Sequence, residues 1–541
     1  MPADFARVAA LSSLADGEMR QVDAGGTDVL LSRVDGRVYA TTAFCTHYGA
    51  PLATGVLHGT TVVCPWHHAA FDVCSGALCE PPALDALRSF PVRIDGDDIL
   101  VQVPDDADAH GEGVPYRESD GEAPAAAEPE PADGRVAVLL GAGAAGGAAA
   151  EALRESGFTG RIVMVTAEDH RPYDRTKLSK AFLAGGAPAD ALPLRDAAFY
   201  RTLGVELWTG RRVAALDPDA RTLTFADGET LGYDACLVAP GGAPRRLPIP
   251  GAELDGVHVL RSWEDAQAVL AAASEAARAV VVGGSFIGME TASSLRDQGV
   301  QVTVVDRADV PLAGALGEAL GQALQHAAEA KGVTFRMGAE LGRIERADGG
   351  LRVHLGSGEA LRADLVVMGV GVAPATGFLD GHASRRDDGG LETDAALRLA
   401  PGLFAAGDVA AYPEARLGER VRIEHWRLAQ QHGRHAAAHL FADDPAPFTA
   451  VPFFWTGQFG VNVRYVGHVE RVDETVVDGS LADRDAAVYY VQDGRAHAAA
   501  FVGRDPAAAR FELLLAEGGA PTADAVRDGF DPAAALAGAL R

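Results

Sequence analysis

Cys45-Thr46-His47 and, sixteen residues further on, Cys64-Pro65-Trp66-His67 each set a thiol two or three positions from an imidazole. A [2Fe–2S] cluster held by two thiolates on one iron and two imidazoles on the other uses this ligand set. Neutral imidazoles in place of anionic thiolates leave such a cluster less negative. Its potential then lies at roughly −150 to +300 mV, well above an all-cysteine plant-type cluster. Two cysteines and two histidines also bind zinc. Zinc fingers, however, group the cysteines first and the histidines second, whereas each clamp here mixes the two, which favours iron. Cys45, His47, Cys64 and His67 are the expected metal ligands. Cys74 and Cys79 are expected to be small buried thiols.

Two glycine turns offer a second chemistry. Gly141-Ala142-Gly143-Ala144-Ala145-Gly146 follows the apolar run Arg135 to Leu140 and opens an alanine-rich helix through Leu153. Such glycines let the backbone approach a pyrophosphate, whose charge the helix N-terminus stabilises. Glu168, after the strand Ile162 to Val165, can accept from ribose hydroxyls. The same grammar recurs at Ala279 to Val282, then Gly283-Gly284-Ser285-Phe286-Ile287-Gly288, with a helix expected from Met289 to Gln298. Two units imply two dinucleotide sites. In the second, Ser285 replaces the middle glycine, so a weaker or tighter pyrophosphate seat is expected. Asp306 ends the next strand and can accept from both hydroxyls of an adenosine ribose, which favours NADH over NADPH. Arg307 beside it leaves that preference open.

Cys45-Thr46-His47-Tyr48-Gly49-Ala50-Pro51-Leu52 and Cys64-Pro65-Trp66-His67-His68-Ala69-Ala70-Phe71-Asp72 closely resemble the Rieske family. Ala50 and Trp66 stand where its high-potential respiratory members carry a disulfide, so the resemblance implies a soluble ferredoxin type with a potential toward the low end. From Arg135 onward the chain resembles the ferredoxin reductase and apoptosis-inducing-factor-like branch of the FAD-dependent pyridine nucleotide oxidoreductases. That likeness rests on Arg171-Pro172-Tyr173-Asp174-Arg175, Leu178-Ser179-Lys180, Ala239-Pro240-Gly241-Gly242-Ala243-Pro244, Leu403-Phe404-Ala405-Ala406-Gly407-Asp408-Val409 and Phe454-Trp455. It implies that Asp408 binds the flavin ribityl chain and that Arg175 and Lys180 lie along the isoalloxazine. It also implies a Lys180–Glu290 ion pair beside the flavin N5 edge, and a place for Trp426 and Trp455 near the flavin or nicotinamide. Val213, Ala239, Gly241, Gly371 and Gly407 join the glycines of the two turns and Ile287 as expected cofactor contacts.

The physics agrees with that transfer. A hydride arriving at the flavin leaves a negative ring, which the Lys180 ammonium would stabilise while Glu290 holds it in place. The protein supplies placement and electrostatics, and the flavin the redox chemistry. The disulfide reductases of the superfamily carry a cysteine pair near the first helix. No cysteine lies between Cys79 and Cys236, so electrons cannot leave through a dithiol there. The other redox group the sequence offers is the cluster, with its histidine-ligated iron expected as the exit edge. His432, His435 and His439 share a helical face but read as packing or solvated groups, not as a metal site.

These residues need a multidomain scaffold. The 541 residues, 48% apolar, suffice for three or four domains and exclude overall disorder. Residues 1–104 read as an all-β Rieske module, with Asp35-Gly36 as a hairpin turn. Residues 105–134 are rich in Asp, Glu, Ala, Pro and Gly and read as an acidic linker. Two Rossmann-like α/β domains follow, FAD-binding over 135–255 and 376–447 and NAD-binding over 256–375, then an α+β reductase domain over 448–541. The net charge of −28 speaks against nucleic acid and anionic membranes as partners. The lack of a long apolar run or basic leader points to the cytoplasm. Of only three lysines, Lys177 and Lys180 share one heptad, in a chain that otherwise uses arginine. The expected activity is an NAD(P)H-dependent FAD oxidoreductase that passes electrons from NADH through FAD to its own cluster. The onward acceptor would be a ferredoxin, cytochrome or oxygenase component, and the protein a monomer or homodimer. The alternative is a redox-sensing interaction protein with slow turnover. No histidine–carboxylate facial triad argues for an oxygenase, and no sirohaem cysteine set for a nitrite reductase.

Overall fold

The computed structural model describes residues 4–104, 133–347, 349–379, 381 and 383–539. The acidic segment expected as a linker lies, up to residue 132, outside the described residues. Residues 540 and 541 are also outside them. The amino-terminal module is all β. It comprises a four-stranded sheet Met19–Asp23, Asp28–Val34, Arg37–Thr42 and Ser89–Phe90, a second of Val56–His58, Thr61–Val63, Ala70–Asp72 and Leu78–Glu80, and a three-stranded sheet. Asp35 and Gly36 both take positive φ, 51° and 73°, the turn that matches the twist of a hairpin. Cys45 and His47 sit in the loop after Arg37–Thr42, and Cys64 to Ala69 link Thr61–Val63 to Ala70–Asp72.

Unbroken apolar runs form two buried parallel sheets, as expected for strands covered on both faces. The first has the order Val205–Trp208, Arg161–Val165, Val136–Leu140, Ala235–Val238, Leu403–Ala405 and Arg398–Ala400, with only the last strand antiparallel. The second runs Val257–Val259, Leu365–Met368, Arg278–Val282, Gln301–Val305 and Thr334–Arg336, all parallel. Both place their glycine turns at the carboxyl end of a central strand, the ligand-binding position of open α/β sheets. The chain passes between them through Gly242–Pro244 and Val372–Pro374, which pair with each other. A five-stranded antiparallel sheet, Phe453–Gln458, Val461–Gly467, Arg495–Val502, Asp485–Gln492 and Glu474–Ser480, follows, packed by helix Asp505–Ala516. The last helix spans Pro532–Ala539. No helix among the described residues is long and apolar enough to cross a membrane.

Candidate functional site

The two cysteine–histidine loops share one backbone design. Cys45 N–H donates to Ala50 O and Gly49 N–H to Cys45 O. Five and four residues on from Cys64 the pattern repeats, with Cys64 N–H to Ala69 O and His68 N–H to Cys64 O. The fourth residue must take a left-handed conformation in each loop. Gly49 does so at φ 71°, but the second loop uses His68 at φ 57°, where a side chain costs about 1–2 kcal/mol. The loops bring all four expected ligands together. His47 Nδ1 and His67 Nδ1 face each other at 3.1 Å, a separation that two ligands of one metal ion would span. The Cys45 and Cys64 sulfurs lie in mutual contact, both buried and unbridged. Burial pushes His47 down to about 4, against the pull of Asp174, and pushes His67 well down, with help from His47 and Arg464. Both imidazoles are therefore neutral at neutral pH, as metal ligands must be. No three His, Cys, Asp or Glu side chains among the described residues converge on one point. The donor set fits a [2Fe–2S] cluster.

The expected exit edge is turned inward. His67 packs against Trp455 with ring centres 4.4 Å apart, and His47 lies 6.1 Å from the same ring. The histidine side of the module thus faces the reductase portion of its own chain. Phe453 and Trp455, two apart and so on one face of the edge strand, cover His68 and the two imidazoles. His68 stacks on Phe453 at 3.9 Å and bonds Glu512. Burial opposes the Glu512 charge, but Arg427 and His68 outweigh it and hold its pKa below the usual range. Tyr48 donates to Asp174 at 2.5 Å. Arg195 bonds Asp85 at 2.6 Å and Leu84 O at 2.9 Å. Arg427, 3% exposed, bonds Pro81 O at 2.8 Å. Val56, Val63 and Ala70 close an apolar patch with Ala509 and Leu513. Among these contacts, His47, His67 and Trp455 were anticipated as site residues, and the others were not. Cys74 is half-buried and Cys79 exposed, so the expectation of two buried thiols fails for Cys79, which sits on a seam where the module meets helix Trp426–His439.

Behind Trp455 lies the expected ion pair. Lys180 Nζ is 2.7 Å from Glu290 Oε2, which also accepts from Ser179 Oγ at 2.6 Å. Glu290 Oε1 accepts from Thr456 Oγ1 at 2.7 Å. Thr456 follows Trp455, so adjacent strand residues point to opposite faces, one toward the cluster ligands and one toward Glu290. Lys180 interrupts a π-helical stretch, Leu178–Phe182, with a non-helical backbone, and such stretches concentrate at functional sites. Helix Phe286–Asp297 fastens it. Glu290, Ser294 and then Gln298, spaced four apart on one face, bond Lys180, Ser179 O and Leu183 O. Lys177 lies 5.4 Å over the Tyr48 ring, so the two clustered lysines border the seam.

The first glycine turn is shaped for close approach. A Cβ on Gly146 would fall 1.8 Å from Gly141 O. Gly143 leaves helix Ala144–Glu155 with no side-chain cap, so its first N–H groups are free for an anion. Glu168 accepts from Tyr173 at 2.6 Å and Arg175 at 2.5 Å. Asp408, in the turn Gly407–Val409, bonds Arg261 at 2.7 Å, and Gly241 lies against both, with Ala239 just before it. Arg261 was not anticipated from sequence. Trp426 opens helix Trp426–His439 and packs on the core of the first sheet, and Val213 on the opposite face of that sheet. In the second turn Ser285 caps helix Phe286–Asp297 by accepting from Gly288 N–H and donates to Gly369 O at 2.7 Å. Its hydroxyl is thereby turned onto protein. Asp306 Oδ2 accepts from Gly284 N–H at 2.5 Å. Gly283, Ile287 and Gly371 complete this turn and the loop facing it, with Ile287 41% exposed. His432 is buried and accepts from Gly407 N–H at 3.2 Å, a packing role.

Three family models match the chain: "Rieske [2Fe-2S] domain" over residues 4–91, "Pyridine nucleotide-disulphide oxidoreductase" over 135–433 and "Reductase C-terminal" over 453–539. Apoptosis-inducing factor 3 of Mus musculus is 36% identical over 519 residues, 95% of this chain and 84% of its own length. The 5,5'-dehydrodivanillate O-demethylase ferredoxin reductase subunit of Sphingobium sp. is 35% identical, over 73% of this chain and 96% of its own length. The solved covalent putidaredoxin reductase–putidaredoxin complex matches with a TM-score of 0.68 at 30% identity, covering 71% of this chain and 93% of that one.

Proposed function

Given that the chain belongs to the pyridine nucleotide-disulphide oxidoreductase family and carries a Rieske [2Fe–2S] domain, we propose that it is a reductase with its electron-carrier fused on, moving electrons from NADH through FAD to its own cluster and then to an external one-electron acceptor. When bound, FAD would supply hydride acceptance from a nicotinamide, and a cluster held by Cys45, His47, Cys64 and His67 would supply one-electron chemistry. The chain's own residues do the rest. Lys180, fixed by Glu290, places a positive charge where the flavin gains a negative one. Trp455 covers the imidazoles of His47 and His67 from the reductase side, and Thr456 next to it joins the same strand to the ion pair. Arg195, Arg427 and His68 seat the module so that the imidazoles face inward. The observation that carries this reading is the Trp455–His67 contact at 4.4 Å, with Thr456 on the next residue bonded to Glu290. Anaerobic titration with NADH tests it: flavin and cluster bands should both bleach, with an end point of about 1.5 NADH per chain, two electrons for FAD and one for the cluster. Flavin bleaching with the cluster left oxidised would end the proposal.

Asp306 carries the choice of NADH. Its carboxylate would repel a 2′-phosphate and accept from a ribose diol. Asp306→Ala is expected to reduce the ratio of kcat/KM for NADH over NADPH by at least about tenfold, or 1.4 kcal/mol. Steady-state kinetics with both nucleotides checks it, and an unchanged ratio removes Asp306 from the discrimination.

His68 supplies the third test. His68→Gly relaxes a left-handed turn but removes the imidazole stacked on Phe453 and bonded to Glu512. The buried Glu512 then keeps one partner, Arg427, instead of two. We expect NADH-driven cluster reduction to slow by about tenfold, as loss of roughly 1.4 kcal/mol of seating would give, with an unchanged cluster EPR spectrum. An unchanged rate would mean that His68 does not seat the module.

A further inference from the structure

Arg464 lies in strand Val461–Gly467 directly opposite Trp455. Residues opposed in an antiparallel pair project from the same face of a sheet, and on this face Trp455 meets His67 and His47. Arg464 therefore projects into the seam between the reductase sheet and the amino-terminal module. Its side chain is 7% exposed, and among the described residues its ion-pair contact is one long one, 3.3 Å to Asp505. Its Nε has no hydrogen-bond partner among the described residues. A buried guanidinium so weakly paired leaves much of its charge uncompensated. The ring opposite it, Trp455, packs on His67, so this charge sits beside the clamp. The other charges facing the clamp offset one another or are taken. Asp174 and Lys177 act oppositely on His47. Glu512 is bonded by Arg427 and His68, and Lys180, which also acts on His67, is paired with Glu290.

We propose that Arg464 is a redox-tuning residue: its buried charge, delivered from the reductase domain, raises the reduction potential of the cluster in the module seated against it. The inference rests on the cluster being the acceptor for the flavin's electrons. In that step reduced FAD loses one electron and one ferric ion of the cluster becomes ferrous. No bond forms or breaks at Arg464, and no proton moves there. The cluster gains one negative charge, and a desolvated cation nearby lowers the energy of that state. The seated module is thus a better acceptor than its ligand set alone would make it, which offsets the low-end potential expected from the missing disulfide positions.

The test is an EPR-monitored potentiometric titration of the full chain with dithionite and mediators, on the unchanged protein and on Arg464→Gln, Arg464→Met and Arg464→Lys. Both charge-free variants are expected to disfavour cluster reduction by at least about tenfold, a fall of roughly 59 mV for a one-electron couple, with g values unchanged. Arg464→Lys should stay close to the parent. A midpoint that does not move in Arg464→Gln or Arg464→Met overturns the proposal, as does an equal fall in Arg464→Lys, which would assign the effect to packing. Arg464→Met keeps an apolar stem, so it carries the test if Arg464→Gln fails to load the cluster. Because the reductant is chemical, a cluster that NADH cannot reduce but whose midpoint follows the charge at position 464 would defeat the relay and leave the tuning standing.

Discussion

Lys180→Met is expected to slow flavin reduction by NADH by about 10²–10³-fold, the loss typical of removing one preorganised group that stabilises developing negative charge. The Lys180 ammonium is held 2.7 Å from Glu290, whose side chain is 5% exposed and bonded by Ser179 and Thr456. The group is thus oriented before the hydride arrives, and water cannot take its place at once. Lys180→Met alone also strands a buried carboxylate, which costs about 3–5 kcal/mol. The double variant Lys180→Met with Glu290→Gln removes that penalty. It should regain most of the lost thermal stability and none of the rate. Anaerobic stopped-flow absorbance of the flavin checks the rate, and a melting curve the stability. A rate within threefold of the parent would show that Lys180 does not act on the flavin.

At the other end of the relay, Cys64→Ala should abolish the cluster and with it all transfer to one-electron acceptors, while NADH still reduces the flavin at the parent rate. Cys64 is buried and its backbone N–H closes the loop onto Ala69 O, so alanine keeps the turn but cannot ligate. Three ligands leave one iron short, and because ligation and folding of such loops are coupled, no partly loaded cluster is expected. Iron content, the EPR spectrum and cytochrome reduction check this together. If Cys64→Ala reduced cytochrome at the parent rate, electrons would be leaving the flavin directly. Lys180→Met and Cys64→Ala thus block the same path before and after the flavin, with opposite effects on its redox state at steady turnover.

What the sequence disclosed is local. Cys45, His47, Cys64 and His67 announce themselves by spacing, and Gly141 to Gly146 by following an apolar strand. The Lys180–Glu290 pair spans 110 residues and was legible only through likeness to a family. The seam was not legible. His68 and Glu512 are 444 residues apart and Arg427 and Pro81 346 apart. A charged residue that will be buried between domains has the same local pattern as one on a solvated face. The inward turn of His47 and His67 was not legible for the same reason, since Trp455, which covers them, lies in a distant part of the chain. His68 did carry a signal in hindsight: aligned by their hydrogen bonds, the two loops put histidine where the first has Gly49, a residue type that tolerates the left-handed turn less well. Cys79 was misjudged because a small thiol is usually buried, and here it lies in strand Leu78–Glu80, at the edge of its sheet.

The most direct measurement is freeze-quench EPR of the full chain mixed anaerobically with NADH, repeated over a hundredfold range of protein concentration. Transfer inside one chain requires the reduced-cluster signal to appear in a first-order phase, after flavin bleaching and at a rate independent of concentration. A rate that climbs in proportion to protein concentration, or a flavin that is fully reduced beside a cluster that stays silent, would contradict it.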